Sequence, residues 1–317
     1  MSCLCLSEAK GMWKTMKSAI VTGANGFIGR WLVKELSEHN YYVYAVVRKN
    51  HSYICKNQNV KIVECPMSEI LSLREKLTIT NIDKFFHLAW NASGGEGRAN
   101  YDLQLKNVKE SCDVAELAKQ LQVKHFFGVG TLTENIVEDL LEDENISTNM
   151  IYAVSKKMTR YFLDIAFRQN ATKFTWLQFS NVYGPYNQSG NLLSYALNAM
   201  MKKEVPEFSS GEQPYDFVYV KDLVRAIRLI SDMDSGKQYY FIGSGTSLKL
   251  KEYLQKLPSI IGNNSQLEIG KRAEDGVKYE KSWFDCSDLI EEVGYTAEYS
   301  FEKGIKETIE WLKNKDN

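Results

Sequence analysis

Tyr152 and Lys156 stand four residues apart in the stretch MIYAVSK, residues 150–156. One is a phenol and the other an amine, and such a pair can move a proton. A free phenol has a pKa of about 10, too high for a good base at neutral pH; a nearby ammonium stabilises the phenolate and lowers that value. One helical turn brings residues at this spacing to the same face. The same spacing also describes any aromatic and lysine that share a surface helix. The chain holds eighteen tyrosines, so the pair acquires meaning only from what is built around it.

A second stretch, GANGFIG, places Gly23, Gly26 and Gly29 directly after a short apolar strand, Ala19 to Thr22, and before an amphipathic helix from about Phe27 to Glu38. The first glycine suits a tight turn, the second lets backbone approach a pyrophosphate, and the third allows close helix packing. Unpaired N–H groups at the helix start favour phosphate. A plain strand-to-helix turn is the competing reading, but the context favours a dinucleotide, with Asn25, Phe27 and Ile28 completing the loop. An NAD site usually carries an acidic residue at the end of the second strand, where it binds the ribose 2′-hydroxyl. Here that strand ends in Arg48 and Lys49. Two cations suit the 2′-phosphate of NADP, and Arg30 could assist them. NADP is therefore favoured, with NAD as the alternative.

The elements that must position these groups follow in order. YYVYAVV, NVKIVEC and KFFHLA are predicted strands, with a helix at Ser68–Leu77. Tyr101 to Leu121 is a long helix, HFFGVG a strand, Tyr152 to Phe167 a helix and Phe174 to Phe179 a sixth strand. This alternation predicts an α/β fold: a Rossmann-type, doubly wound parallel sheet with helices on both faces. After Gly184-Pro185 the pattern changes. A helix is predicted at Leu192–Lys202, then a strand at DFVYV, a helix near Leu223–Ile230, a strand at QYYFIG and a closing helix near Ile305–Leu312. The expected division is an N-terminal extension at 1–16, a dinucleotide-binding core at 17–184 and a smaller, discontinuous C-terminal substrate-binding lobe at 185–317. Segments near 215–243 are expected to return to the core. The acidic run Glu138 to Asn145 is expected to be a solvated loop or helix end.

Composition narrows the remaining classes. The chain has 317 residues, 44% hydrophobic and 25% charged, with a net charge of -1, as in an ordinary soluble protein. No basic excess points to nucleic acid, and no apolar run is long enough to span a membrane. Cys3, Cys5, Cys55, Cys65, Cys112 and Cys286 are scattered. Their spacing indicates no metal site, and they fit a reducing cytoplasm.

Taken together, GANGFIG, FHLAW, YAVSK, NVYGP at 181–185 and YDFVYVKD at 215–222 resemble the extended short-chain dehydrogenases/reductases, in the NAD(P)-dependent nucleotide-sugar epimerase, dehydratase and reductase group. The late run FDCSDLIEEVGY resembles that family's closing segment. The resemblance implies that Tyr152 exchanges a proton with a sugar hydroxyl or ketone. It implies that Lys156 binds the nicotinamide ribose and favours the tyrosinate, and that a hydroxyl after the fifth strand, Thr131 first and Thr133 second, meets the reacting oxygen. It further implies that Leu88, Ala89 and Phe179 lie along the cofactor. Trp90 and Asn181 would meet the substrate, a nucleotide-diphosphate sugar, and Asn107 would steady backbone. Tyr215 and Gln178 stand where arginines are common, so phosphate neutralisation falls to Arg272 or Lys271. The dehydratases of the family carry Thr-Asp-Glu where this chain has Thr131-Leu132-Thr133, with Glu134 one position late, which disfavours dehydration. The expected activity is an NADPH-dependent reductase of a nucleotide-linked 4-keto-6-deoxysugar serving surface polysaccharide. A C4-epimerase holding NAD is the alternative, and a non-catalytic NADP-binding scaffold a remote one. The resemblance also implies a homodimer built on the long helix after Asn100 and the helix of Tyr152. Leu117 and Phe162 are either contact or core residues.

Overall fold

The computed structural model describes residues 16–49, 54–79, 81–138, 140, 147–233, 235–262, 266–274 and 276–315. The expected extension at 1–16 and most of the acidic run at 138–145 lie outside the described residues, apart from Met16, Glu138 and Leu140.

The first half alternates as the apolar pattern requires. Strand β1 (Lys17–Thr22) leads through the glycine turn into helix α1 (Phe27–Glu38), then β2 (Tyr41–Val47) and β3 (Val60–Glu64). A 3-10 turn at Met67–Ser72 runs into the short helix α2 (Leu73–Lys76). Then come β4 (Lys84–His87), α3 (Tyr101–Gln120), β5 (His125–Thr131), α4 (Met150–Phe167), β6 (Lys173–Phe179) and β7 (Asn181–Tyr183). Short strands β8 (Glu207–Phe208), β9 (Pro214–Tyr215) and β10 (Phe217–Tyr219) precede β11 (Tyr239–Ile242). The helix expected near Leu223–Ile230 begins earlier, at Val220, directly after β10. The expected helix at Ser68–Leu77 is mostly 3-10, with a kink at Glu69.

Seven strands form one sheet in the order β11-β6-β5-β4-β1-β2-β3. The pairs β1–β2, β2–β3, β1–β4, β4–β5 and β6–β11 are parallel. Every residue of β2 is buried, which is why YYVYAVV has no polar alternation: a parallel strand covered on both faces is apolar throughout. The order reverses between β1 and β4, the switch point whose carboxyl-terminal crevice takes ligands in open α/β sheets.

The chain divides into two compact units. One comprises residues 1–90, 109–128 and 161–175; the other 91–108, 129–160 and 176–317. The core of the first unit pairs Phe85 with Phe126 and Phe86 with Phe127 across β4 and β5, with ring centroids 5.4 and 4.9 Å apart. Burial of each such side chain contributes about 1.5–3 kcal/mol. Leu117 is wholly buried and so belongs to the core, whereas Phe162 is half exposed. The second unit has its own aromatic core, in which Tyr183, Phe217, Tyr219, Tyr253 and Phe301 pack with Leu254 and Ile305. No helix among the described residues is long and apolar enough to cross a membrane. Nor do those residues contain a cluster of histidine, cysteine, aspartate or glutamate that could hold a metal.

Candidate active site

The glycine turn is built by what its residues lack. Gly23 takes φ +67°, and a Cβ there would lie 2.9 Å from the backbone nitrogen of Ala89. That residue follows β4, across the switch point. A Cβ on Gly29 would lie 2.8 Å from the Gly23 carbonyl carbon and 2.9 Å from Ala24 Cα, so α1 rests directly on the turn. Gly26 is the N-cap of α1; it offers no side-chain cap, and no acidic residue stands in the first turn. The leading N–H groups, including those of Phe27 and Ile28, are therefore left to an anion. The backbone amide of Ala89 also donates to Thr22 Oγ1, at 3.3 Å. Leu88, Ala89 and Trp90 are partly exposed after β4. A cradle that a single Cβ would fill, at the switch point, under an uncapped helix start, fits a dinucleotide pyrophosphate.

At the end of β2, Arg48 and Lys49 are exposed. Asn25 Nδ2 donates to the Lys49 carbonyl at 3.2 Å, tying the second strand to the glycine turn. Arg30 donates back to the turn instead, from its guanidinium to the Asn25 and Gly26 carbonyls, at 3.0 and 3.3 Å.

The Tyr152 neighbourhood lies wholly in the other unit. Tyr152 and Lys156 are both buried on α4, one turn apart. Burial pushes the Tyr152 phenol up to about 12; the Arg98 guanidinium draws it down, the Glu134 carboxylate pushes it up, and a hydrogen bond with Thr131 draws it down. Thr131 Oγ1 also lies 3.3 Å from Thr133 Oγ1. The cation against the Tyr152 ring is Arg98, whose Cζ sits 4.5 Å from the ring centre. Lys156 Nζ donates to the Val129 carbonyl at 2.8 Å. Burial lowers its ammonium to about 7, and the Glu134 carboxylate draws it back up.

Glu134 is the residue that sequence reasoning set aside. It is wholly buried in the 3-10 turn Leu132–Ile136 that follows β5. One carboxylate oxygen accepts the Thr131 N–H at 2.6 Å and the other accepts Trp176 Nε1–H at 3.0 Å. Burial raises its pKa; the Thr131 amide, the Lys156 and Arg160 charges and the Trp176 donor oppose that rise. One local signal was available. A Cβ on Gly130 would collide with Trp176 Nε1 and Glu134 Oε1, so the glycine before Thr131 makes room for this carboxylate.

Other expected site residues occupy ordinary structural bonds. Asn181 Nδ2 donates to the Asp216 carbonyl at 3.1 Å, and its Oδ1 accepts from the Tyr215 hydroxyl at 3.0 Å. Gln178 is wholly buried, donating to Asn135 and accepting from Tyr239 at 3.2 and 2.7 Å. Arg272 is exposed and donates to the Tyr195 hydroxyl at 2.8 Å; Lys271 lies 4.0 Å from Glu268. Phe179 is buried at the end of β6. Asn107 grips the Asn91 backbone with both ends of its amide, each bond 2.9 Å.

The chain is 24% identical to a CDP-abequose synthase of Salmonella muenchen, over 92% of this chain and 97% of that protein. It is 28% identical to a dTDP-6-deoxy-L-talose 4-dehydrogenase (NAD(+)) of Aggregatibacter actinomycetemcomitans, over 67% of this chain and 80% of that one. Its fold is that of a UDP-N-acetylglucosamine 4-epimerase from Methanobrevibacter ruminantium M1, solved with UDP-N-acetylmuramic acid. The two agree with a TM-score of 0.79 and 22% identity over 95% of this chain and 99% of that one. Residues 19–243 match the NAD dependent epimerase/dehydratase family along most of the chain. With the glycine cradle at the switch point and the Tyr152–Lys156 turn of α4, that match makes the chain a member of this family.

Proposed function

We propose that this protein is an NADPH-dependent reductase of a nucleotide-linked 4-keto-6-deoxysugar. The observation that carries this reading is the state of Tyr152. Its phenol is buried and hydrogen-bonded to Thr131, and burial pushes its pKa up to about 12, which favours the proton-bearing form. A reductase needs a proton donor at the ketone oxygen; an epimerase must begin by removing a proton from a hydroxyl. The relative named as a 6-deoxysugar 4-dehydrogenase supports chemistry at the same carbon. When bound, the nicotinamide supplies the hydride. Thr131 orients the ketone oxygen, with Thr133 behind it, and Tyr152 gives that oxygen its proton, leaving a phenolate. Lys156, one turn along α4, and the buried Glu134 carboxyl influence each other's charge beside that group.

Gly23, Asn25, Gly26, Phe27, Ile28 and Gly29 would hold the pyrophosphate, with Leu88, Ala89, Lys156 and Phe179 along the nicotinamide half. The absence of a carboxylate at Arg48-Lys49 supports NADPH over NADH. The substrate lobe is drawn mainly from residues 185–317, and Trp90, Asn181 and Arg272 are its proposed contacts. The protein would act in the cytoplasm as a homodimer packed through α3 and α4.

A C4-epimerase retaining NAD is the second reading, favoured by the epimerase name of the structural neighbour. Mass spectrometry of the cofactor retained after gentle purification, followed by NADPH oxidation with 4-ketosugar nucleotides, separates the two. Stoichiometric NADPH consumption is the expected result. Retained NAD with interconversion and no net oxidation would overturn the first choice.

A further inference from the structure

The end of β4 carries a side chain that the chemistry described so far leaves unused. His87, the last residue of that strand, is buried and bonds at both ring nitrogens. Nδ1 lies 2.8 Å from Thr22 Oγ1 at the end of β1, and Nε2 lies 3.0 Å from Ser111 Oγ on α3. Thr22 and Ser111 are buried as well. Thr22 Oγ1 also accepts the Ala89 N–H at 3.3 Å. One line of hydrogen bonds thus runs from α3 through β4 to β1, and back to the chain just past His87. Its direction follows from Thr22. An amide N–H only donates, so the Thr22 oxygen is the acceptor toward Ala89. The Thr22 hydroxyl hydrogen then has one acceptor within reach among the described residues, His87 Nδ1. A buried hydroxyl hydrogen without an acceptor is costly. Nδ1 therefore accepts, the neutral ring carries its proton on Nε2, and Nε2–H donates to Ser111 Oγ.

The line ends at the glycine turn. A Cβ on Gly23 would stand 2.9 Å from the Ala89 nitrogen and 3.1 Å from the Leu88 carbonyl carbon, so residues 88 and 89 form one wall of the cradle. Thr22, bonded to Ala89, is the residue directly before Gly23. We propose that His87 is a positioning residue for the dinucleotide: by accepting the Thr22 hydroxyl proton it keeps Thr22 Oγ1 turned to the Ala89 amide, and so fixes the β4 exit against the glycine turn. The inference rests on the reading of that turn as a dinucleotide cradle. His87 acts through Thr22 and Ala89 and has no chemical step of its own. Without the ring, the Thr22 side chain is free to change rotamer, and the Ala89 amide loses its acceptor. The partly exposed segment after β4 can then draw away from Gly23, and the cradle loses its shape.

The test separates the two ring nitrogens. In His87→Asn the amide oxygen stands in the place of Nδ1 and can accept from Thr22, while the Ser111 bond is lost. In His87→Gln the longer amide reaches Ser111 and leaves Thr22 without its acceptor. Each variant keeps one bond and loses the other, so a histidine that only holds the fold together predicts equal effects. The measurements, on the full chain, are NADPH affinity by fluorescence titration, hydrogen exchange of the Ala89 amide by NMR, and thermal unfolding. His87→Gln should weaken NADPH binding about tenfold or more and speed Ala89 exchange, whereas His87→Asn should stay within about threefold of wild type at a similar Tm. Thr22→Val, which removes the hydroxyl and keeps the shape, should match His87→Gln, and joining the two changes should add little. Equal affinities in the Asn and Gln variants, or losses that follow Tm alone, would overturn the proposal. If His87→Gln does not fold, Thr22→Val set against Thr22→Ser decides by the same readings, with the serine expected to restore both. Ala89 exchange needs no cofactor. A wild-type chain that binds no dinucleotide, with Ala89 exchange still governed by His87, would sink the dinucleotide reading and leave the clamp on Ala89 standing.

Discussion

The glycine turn and the Tyr152 pocket are built on opposite plans. In the turn, function comes from backbone: Gly23 and Gly29 contribute by having no side chain where Ala89 and the turn itself approach within 3 Å. In the pocket it comes from side chains whose charges act on one another. Tyr152 is pulled one way by Arg98 and the other by Glu134, and Lys156 answers to Glu134 as well. A backbone device is local, so its parts stand close together in sequence and in fixed order. An electrostatic device is assembled from distant segments, here the loop before α3, the end of β5, α4 and β6. The first kind of site depends on atoms left out; the second depends also on the charges placed in it.

The sharpest way to break this contrast is Tyr152→Phe. Turnover of the true substrate should fall about a hundred- to ten-thousand-fold, while cofactor affinity, measured by fluorescence titration, stays unchanged. Undiminished turnover would leave a non-catalytic, cofactor-binding scaffold as the better account. Gly29→Val should do the reverse. Its Cβ meets backbone that has nowhere to go, so stability should drop by at least about 1–3 kcal/mol, and cofactor binding should be lost before any effect on chemistry can be read. A folded Gly29→Val protein with native cofactor affinity would refute the close-packing account of the turn. Glu134→Ala sharpens the contrast on the pocket side. It strands the Thr131 amide and the Trp176 indole N–H, each buried unsatisfied donor costing about 1–3 kcal/mol. Thermal unfolding should show this loss. Glu134→Gln, which can serve one of the two donors as acceptor while its amide is left facing the other, should lie between Ala and wild type.

The same contrast explains how much of the molecule was legible in its residues. The sheet was, because strands such as YYVYAVV are apolar throughout and their helices carry a 3.6-residue period. The glycine turn was, because its spacing reports directly on backbone geometry. Tyr152 and Lys156 were found as a pair, and Thr131 was placed near them. Their electrostatics were not. A four-residue spacing says that two groups share a helix face, and nothing in it says that the ammonium turns toward the Val129 carbonyl. Arg98 gave no local sign, since the ring it lies against is on α4, far along the chain. Glu134 was discounted by counting positions against a motif, although its carboxylate is buried beside the pair it was excluded from. The 3-10 geometry of Leu132–Ile136 decides where that carboxylate goes, and linear counting does not carry that geometry.

The bond from Asn25 to the end of β2 has a consequence for how such a protein can change. Asn25 engages the backbone carbonyl of Lys49, not its ammonium. The strand end that presents Arg48 and Lys49 is thereby anchored through its backbone, independently of the side chains displayed on it. Exchanging Arg48 or Lys49 for an acid would reverse the charge shown at that strand end and leave the bond beneath it in place. The charge at that strand end is thus a replaceable fitting on a fixed mount.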